Sequence, residues 1–213
     1  MATFGAAALG FGTLEGWEIQ GPTATDEQQR ATAPDETGNV EAAQVYDDTQ
    51  QVTTTYKATA ATPALPSSIG ADVNGITLTS ISVSTDAEDW ATMTLTGHAH
   101  TDGTHGTCRS VAHGVTLERG FGASAFGITL GVSGEAVRSS EVTISCEHND
   151  VPDATGDTAA GENYNPRIEL SGRILGSGAT LPAGYDRLED GTEGSSTDFQ
   201  YQTLRGIKDL AFT

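Results

Sequence analysis

Residues 76–84 have the sequence ITLTSISVS, and residues 91–97 have the sequence ATMTLTG. In both stretches apolar residues alternate with hydroxyl-bearing ones, which places the apolar side chains on one face of an extended chain. The segment between them, TDAEDW at 85–90, is short enough for a hairpin connection, and Trp90 is placed to close over one face. The pattern predicts two clear strands that are neighbours in a sheet.

The composition of the whole chain favours the same class of structure. The 213 residues include 26 glycines, and 36% of the residues are hydrophobic and 6% aromatic. Abundant Thr, Ser and Gly indicate short strands separated by many turns. A chain of this length can bury one substantial core, so we predict a single domain, 1–213, that is mainly β. The expected architecture is an antiparallel β-sandwich or barrel with long loops and at most one or two short helices.

Further strands are predicted where β-prone runs are bounded by turn residues. They cover residues 52–57, 114–118, 126–132, 142–147 and 167–175.

The other segments are expected to lie around this core. Residues 1–22 would form an N-terminal arm with a short leading strand, and residues 23–44 would form a polar loop. Residues 148–163 are polar and rich in turn residues, and residues 183–213 would form a C-terminal strand or arm. The best candidates for a helix are 23–31 and 203–210. The sequence DVNG, just before the first quoted stretch, predicts a turn, because Asn and Gly accept left-handed backbone conformations.

The charge of the chain limits its partners. Asp and Glu number 29 against 10 Lys and Arg, which gives a net charge of -19 and a pI near 4.3. Such a surface repels phosphate, so binding to a nucleic-acid backbone or to an anionic membrane is disfavoured. A salt-loving organism's proteome would show the same excess of carboxylates, and this alternative explanation stays open.

The sequence also indicates where the chain is made. No apolar stretch is long enough for a membrane-spanning helix, and the N-terminal residues lack the positive region of a secretory signal. We therefore expect a soluble chain made in the cytoplasm. Cys108 and Cys146 are then expected as thiols, with a single disulfide as the alternative if the protein is later released.

One histidine-rich segment, GHAHTDGTHGTC, has the residue types of a metal site. His98 and His100 project to one face of a strand, and His105, Cys108 or His113 could supply further ligands from the following turn, a set that suits zinc or nickel. The alternative is a solvated hairpin end. We favour the hairpin end, because no paired CxxC spacing is present.

Catalytic patterns are missing from the sequence. It contains no GxSxG nucleophile elbow, and GFGASAFG at 120–127 lacks the lysine of a phosphate-binding loop. Carboxylates are so numerous that no pair stands out as general acid and base. We therefore predict no catalytic residue, no cofactor and no enzymatic activity.

Four aromatic residues are candidates for contacts between copies of the chain. Trp17 and Trp90 are flanked by carboxylates, and Phe199 and Tyr201 lie in the C-terminal segment. Aromatic side chains of this kind anchor cores or protein interfaces, and we predict an interface.

The order of these segments resembles a known family. The sequences GWEIQ at 16–20 and NVEAAQVYDDTQQVTTTYKA at 39–58 give a leading strand, a polar loop and a second strand. The sequence NGITLTSISVSTDAEDWATMTLTGH at 74–98 follows them. This order, over residues 14–210, resembles virion proteins of tailed bacteriophages and is most similar to the tail tube subunits.

The resemblance implies a fold, an assembly and a location. It implies a β-sandwich with a flanking helix, and a homo-oligomer of six copies in a ring, with rings stacked into a hollow tube through loops and arms. The partners would be other virion tail proteins, with DNA passing through an acidic lumen without specific binding and with no membrane. The protein would be part of the virion after assembly in the host cytoplasm. The alternatives are a capsid decoration or head-tail connector protein, and a His-rich metal-binding or ligand-binding β module.

Overall fold

A computed structural model describes residues 10–34, 36–37, 39–100, 108–131, 136–152, 158–194 and 200–212. Within these ranges the chain forms eleven β-strands and no helix. The strands are β1 (Trp17–Pro34), β2 (Val40–Ala58), β3 (Ser68–Ile69), β4 (Asp72–Val73), β5 (Ile76–Asp86), β6 (Thr92–His100), β7 (Val111–Ala112), β8 (Ala136–Pro152), β9 (Thr158–Leu175), β10 (Asp186–Gly194) and β11 (Gln200–Asp209).

Eight of these strands form one large sheet in the order β1-β2-β6-β5-β8-β9-β11-β10. Every neighbouring pair is antiparallel. The short strand β4 adds to β5, and β3 pairs with β7 in a separate two-stranded sheet. The prediction of a mainly β, antiparallel fold is confirmed. Most of the strands belong to this one sheet, and irregular segments cover its inner face where a second large sheet was expected.

The core lies between the inner face of the large sheet and these covering segments. Alternate residues of the central strands point into it, as period-two alternation requires. The fully buried side chains of the sheet include Ile81, Val83, Met93, Leu95, Val142, Ile144, Ile168 and Leu170. The covering segments contribute Phe11, Ile69, Leu117, Phe126, Ile128 and Ala179. The strands predicted at 76–84, 91–97, 142–147 and 167–175 correspond to β5, β6, β8 and β9, which supply these core residues. The strand predicted at 52–57 is confirmed within β2.

The N-terminal segment is held to the sheet by polar contacts as well as by packing. The buried Tyr56 hydroxyl donates to the carbonyl of Gly12 at 2.8 Å, and burial raises the pKa of Tyr56 to about 12. Asn74 donates from its side chain to the carbonyl of Phe11. Asn74 and Gly75 have φ angles of 57° and 81°, which confirms the turn predicted for DVNG.

Several segments predicted to be loops are strands. Residues 23–44 are part of the β1–β2 hairpin, and 148–163 belong to the β8–β9 hairpin apart from 153–157, which lie outside the described residues. The helix candidates 23–31 and 203–210 are also in strands, up to Asp209. The reason is that these ribbons are held by backbone pairing, so they need no apolar alternation that a sequence pattern could show.

Two predicted strands are irregular instead. Residues 114–118 form no strand, and the part of 126–132 that the structure describes makes only an isolated bridge, between Thr129 and Thr180. Leu117, Phe126 and Ile128 are nevertheless buried in the core, whereas Leu130 is exposed. Phe126 has a φ angle of 47°, a left-handed conformation that cannot continue a strand.

The two terminal regions are partly as expected. In the predicted arm 1–22, residues 10–16 are irregular, residues 17–22 open β1, and residues 1–9 lie outside the described part. The predicted C-terminal strand region 183–213 contains β10 and β11.

A substitution on each face of β5 tests this assignment of faces. Ile81→Ala removes a fully buried side chain and should lower the free energy of unfolding by about 2–5 kcal/mol, because it leaves a cavity in the core. Ser84→Ala, on the opposite face, should change it by less than about 0.5 kcal/mol. Denaturant unfolding at one protein concentration measures both values. Equal losses for the two variants would contradict the assignment.

Candidate functional site

The outer face of the large sheet is rich in hydroxyl groups, which are exposed or half-buried in the part of the chain that the structure describes. We call this surface the open face, and define it by the outward positions of β2, β6, β5, β8 and β9. Cross-strand register aligns these positions in rows, for example Thr55, Thr94, Ser82, Thr143 and Glu169. The hydroxyl-bearing positions are Thr53, Thr55, Ser80, Ser82, Ser84, Thr92, Thr94, Thr96, Thr143, Ser145 and Ser171.

The charged residues of the open face balance each other. They are Lys57, Arg167, Arg173, Asp86, Glu141 and Glu169, three of each sign, so this surface has no net charge in a chain of net charge -19. Arg167 and Arg205 both pair with Glu169, at 3.4 and 3.2 Å. The open face is therefore a neutral surface rich in hydroxyl groups, and most of the carboxylates lie elsewhere in the chain.

Two long hairpins carry much of the acidity. The stretch 26–48 contains seven carboxylates and one cation: Asp26, Glu27, Asp35, Glu36, Glu41, Asp47, Asp48 and Arg30. The stretch 147–162 contains Glu147, Asp150, Asp153, Asp157 and Glu162 without Lys or Arg. Because all strands of the large sheet are antiparallel to their neighbours, both hairpin ends lie at one end of the sheet, and the β5–β6 connection lies at the other.

The β1–β2 hairpin is long. Pairing of β1 with β2 continues to Pro34↔Val40, and pairing of β2 with β6 is described up to Thr49↔His100, next to residues 101–107 that lie outside the described part. We call residues 26–34 and 40–48 the β1–β2 extension. Each of its two strands is about 30 Å long at the usual rise per residue.

The large sheet has two edges. β1 and β10 each pair with one strand among the residues that the structure describes. Between Ile19 and Thr25, β1 carries no charged residue, and Pro22 is its only residue there without an N–H donor. An uncharged edge can accept another strand, and here Pro22 and the register shift between Ile19 and Gly21 interrupt the regular pattern of donors.

The four predicted interface residues lie in different environments. Trp17 is 7% exposed and donates from its indole nitrogen to the carbonyl of Ala64 at 2.7 Å, so it is a core residue and the interface prediction for it is wrong. Trp90 is 36% exposed at the β5–β6 end of the sheet. Tyr201 is half-buried, and the Arg173 guanidinium lies 4.3 Å from its ring centre. Phe199 lies outside the described residues.

The predicted metal ligands do not form a metal site in the part of the chain that the structure describes. His98 and His100 both lie on β6, Cys108 is half-buried, and His105 and the side chain of His100 are outside the described part. No group of three or more His, Cys, Asp or Glu side chains is arranged to hold a metal ion among the described residues. His113 is buried, with its two ring nitrogens bonded to the Pro66 carbonyl and the Val115 N–H, and burial lowers its pKa.

Both cysteines are weakly reactive in this structure. Burial raises the pKa of Cys108, and it raises the pKa of Cys146 to about 12. The thiolate is the nucleophile and metal ligand, so these shifts keep both side chains as thiols at neutral pH.

One buried polar cluster was not predicted from the sequence. We call it the His148 cluster, and it consists of His148, Asp150 and Asn163 at the root of the β8–β9 hairpin. The His148 ring, 3% exposed, contacts Asp150 at 2.9 Å through Nε2 and Asn163 at 2.7 Å through Nδ1. The ring of His98 stacks on it with centres 5.5 Å apart. Only the register His148↔Asn163 brings these residues together.

The bonding of Asn163 fixes the protonation of His148. The side-chain nitrogen of Asn163 donates to the carbonyls of Gly70 and Arg109, at 3.2 and 2.9 Å, so its oxygen must face His148. Asp150 is an acceptor as well. Both ring nitrogens of His148 therefore donate, which requires the imidazolium form. The bond to Asp150, with Asn163 and the Asp150 charge, raises the pKa of His148 against the opposing effect of burial.

The His148 cluster connects separate segments of the chain. Through Asn163 it joins the β8–β9 hairpin to the backbone at Gly70 and Arg109, and the Arg109–Glu162 ion pair joins the same two segments. The Cys108 thiol donates to the carbonyl of Gly161 at 3.6 Å beside it. The arrangement fixes the hairpin root and leaves neither nitrogen of His148 available for a substrate or metal.

Comparisons with protein-family models, with curated proteins and with solved structures found no match to this chain. Among the described residues, no helix is long and apolar enough to cross a membrane.

The charged state of His148 in the His148 cluster predicts that stability depends on pH. Because the pKa of His148 is higher in the folded than in the unfolded chain, its contribution is fully present below the unfolded pKa of about 6.5 and is lost as pH rises through the folded pKa. Asp150→Asn removes the main cause of the raised pKa. The loss of unfolding free energy in this variant should therefore be larger at pH 6 than at pH 9.

The matched control is Glu147→Gln, which removes one negative charge from an exposed side chain on the same strand. Its effect should vary less with pH. Urea unfolding of the three proteins at both pH values measures the difference. A loss in Asp150→Asn that is the same at pH 6 and pH 9 would contradict the imidazolium assignment.

Proposed function

We propose that this chain is a structural subunit that assembles into rings through the edges of its sheet, with the open face lining the lumen. The role that fits best is the tail tube subunit of a bacteriophage, in which rings stack around the path of DNA. The observation that carries the proposal is a large sheet that, in the described part of the chain, has two unpaired edges and one face rich in hydroxyl groups.

The number of strands in the sheet allows copies of the chain to join edge to edge in a ring. The path from β1 to β10 has eight alternating strands, so β1 and β10 run in opposite directions. In copies related by rotation about an axis along the strands, β10 of one copy then lies antiparallel to β1 of the next. Antiparallel pairing would continue without interruption around the ring, and closure would remove both edges.

The chemistry of the open face suits the passage of DNA. A wall with hydroxyl groups and no net charge offers phosphate neither a row of free cations nor a strong repulsion. Its three cations, Lys57, Arg167 and Arg173, are matched by Asp86, Glu141 and Glu169. The acidic hairpins would add rings of negative charge at the end of each subunit, where they would keep DNA away from the joints.

Among virion roles, a decoration or head-tail connector protein is the second candidate. The same edges and open face would serve a single ring, so the distinction is whether rings stack. Negative-stain microscopy of purified protein at increasing concentration should show rings that lengthen into tubes. Light scattering should give the mass of a closed ring. A dimer that grows no further would indicate pairing of like edges and would contradict the proposal, and so would a monomer at high concentration.

Proline substitutions in β10 test the proposed joint directly. In an antiparallel edge strand, successive N–H groups point alternately to the neighbouring strand and outward. Of Gly191→Pro and Thr192→Pro, one should therefore lose a bond to β11 and become less stable. The other should keep its stability and lose assembly, because it removes only an outward donor.

Thermal unfolding and size-exclusion chromatography with light scattering read the two effects separately. The unsubstituted chain is the reference for both. If neither proline variant alters the assembled mass while both remain folded, β10 is not the joint.

A further inference from the structure

We propose that the ring closes with three copies of the chain, half the number that the resemblance to tail tube subunits implies. The inference rests on the proposed function, and it adds the number of copies and the width of the lumen. Two lengths decide this number: the width of the large sheet and the diameter of a DNA duplex.

The large sheet is eight strands wide at its centre in the part of the chain that the structure describes. One cross-strand row passes through every strand of the path from β1 to β10. Its members are Gly21, Thr55, Thr94, Ser82, Thr143, Glu169, Ile207 and Asp186. Neighbouring strands lie about 4.8 Å apart, so seven spacings within a copy and one at the joint give each copy about 38 Å of the circumference.

The side chains of the open face make a thin inner wall. Four of the five central members of the row are Thr or Ser: Thr55, Thr94, Ser82 and Thr143. Stacked sheets pack about 10 Å apart, so the side chains of one face occupy about 5 Å. The lumen is therefore about 10 Å narrower than the circle through the strand backbones.

The number of copies sets the width of the lumen. Strands in closed barrels tilt by about 35–45° from the axis, which widens the circle, and the diameter grows with the number of strands. Two copies give 16 strands and a lumen roughly 20–25 Å wide, and three copies give 24 strands and roughly 35–42 Å. Four copies give roughly 50–59 Å, and six copies give roughly 80–94 Å.

A hydrated duplex fits the ring of three. The DNA duplex, with grooves about 8.5 and 7.5 Å deep, is roughly 20 Å across. Two copies would leave no room for the water and counterions that stay with the phosphates. Three copies leave about 8–11 Å on each side of the duplex, which is close to the Debye length of about 8 Å at physiological ionic strength.

Larger rings separate the open face from the DNA. Four copies would place the wall roughly 15–20 Å from the surface of a centred duplex, and six copies roughly 30–37 Å. At several Debye lengths the charge of the wall is screened, so a face without net charge would make no difference to the phosphates. Three is therefore the number of copies that passes a hydrated duplex and keeps the neutral open face beside it.

The test counts the copies in the smallest closed ring of the full chain. Three copies of 22.0 kDa give a particle of about 66 kDa, which native mass spectrometry measures. Top views in negative-stain microscopy should show three-fold symmetry. The symmetry is needed as well as the mass, because two stacked rings of three have the same mass as one ring of six.

A linked triplet gives an independent count. Three copies joined in one polypeptide by linkers of about 40 Gly and Ser residues, which span roughly 35 Å on average, should close on themselves. The closed particle should then contain a single polypeptide. The matched control is the same triplet with the β10 proline substitution that blocks assembly in every copy. It has nearly the same mass and should have a larger Stokes radius, because its copies stay unjoined.

The possible failures of the two proposals differ from each other. A ring with four-fold or six-fold symmetry, or a triplet that closes only as a pair of polypeptides, would overturn the number of copies and leave the ring proposal intact. If the unlinked chain forms no ring, the proposed function fails and this inference fails with it.

Discussion

The two-sidedness of one antiparallel sheet is the constraint on which the rest of the structure depends. Alternation in the central strands sends Ile81, Met93, Val142 and Leu170 to the core and hydroxyl groups to the opposite face. A shift of one residue in any register would exchange the two sets and expose the core. The covering segments can pack only on the apolar face. Of the surfaces of the sheet itself, the open face and the two edges remain for contacts with other molecules.

The fold could be predicted from the sequence where burial leaves a period-two pattern. The stretches 76–84 and 91–97 indicate β5 and β6 directly, and the β-prone run at 142–147 indicates β8. The long hairpins could not be found in this way, because residues such as those at 23–44 pair through backbone groups and bury little. The strand predicted around Phe126 was wrong for the opposite reason. Its apolar residues suggested a strand, but they reach the core from irregular backbone with a left-handed residue.

The candidate sites also differ in how far the sequence alone predicts them. The hydroxyl positions of the open face follow from the alternation, although the order of the strands is needed to assemble them into a surface. The His148 cluster depends on tertiary register. His148 and Asn163 are opposite each other in β8 and β9, and the carbonyls that orient Asn163 come from two covering segments. A histidine and a carboxylate two residues apart in a polar stretch gave no signal of this arrangement. Trp17 shows the limit of composition, since carboxylates flank a residue that is in fact buried.

The structure also shows where the negative charge of the chain lies. With a net charge of -19, a uniformly acidic wall was the simple expectation. The central open face is instead neutral, and the stretches 26–48 and 147–162 carry much of the negative charge at one end of the molecule.

A cryo-electron microscopy reconstruction of the assembled protein tests the central claim most directly. The proposal predicts a closed ring in which β10 of each copy lies antiparallel to β1 of the next, with Thr55, Thr94 and Ser82 on the inner wall. A ring joined through other strands, or one with the open face turned outward or covered by a neighbour, would contradict it.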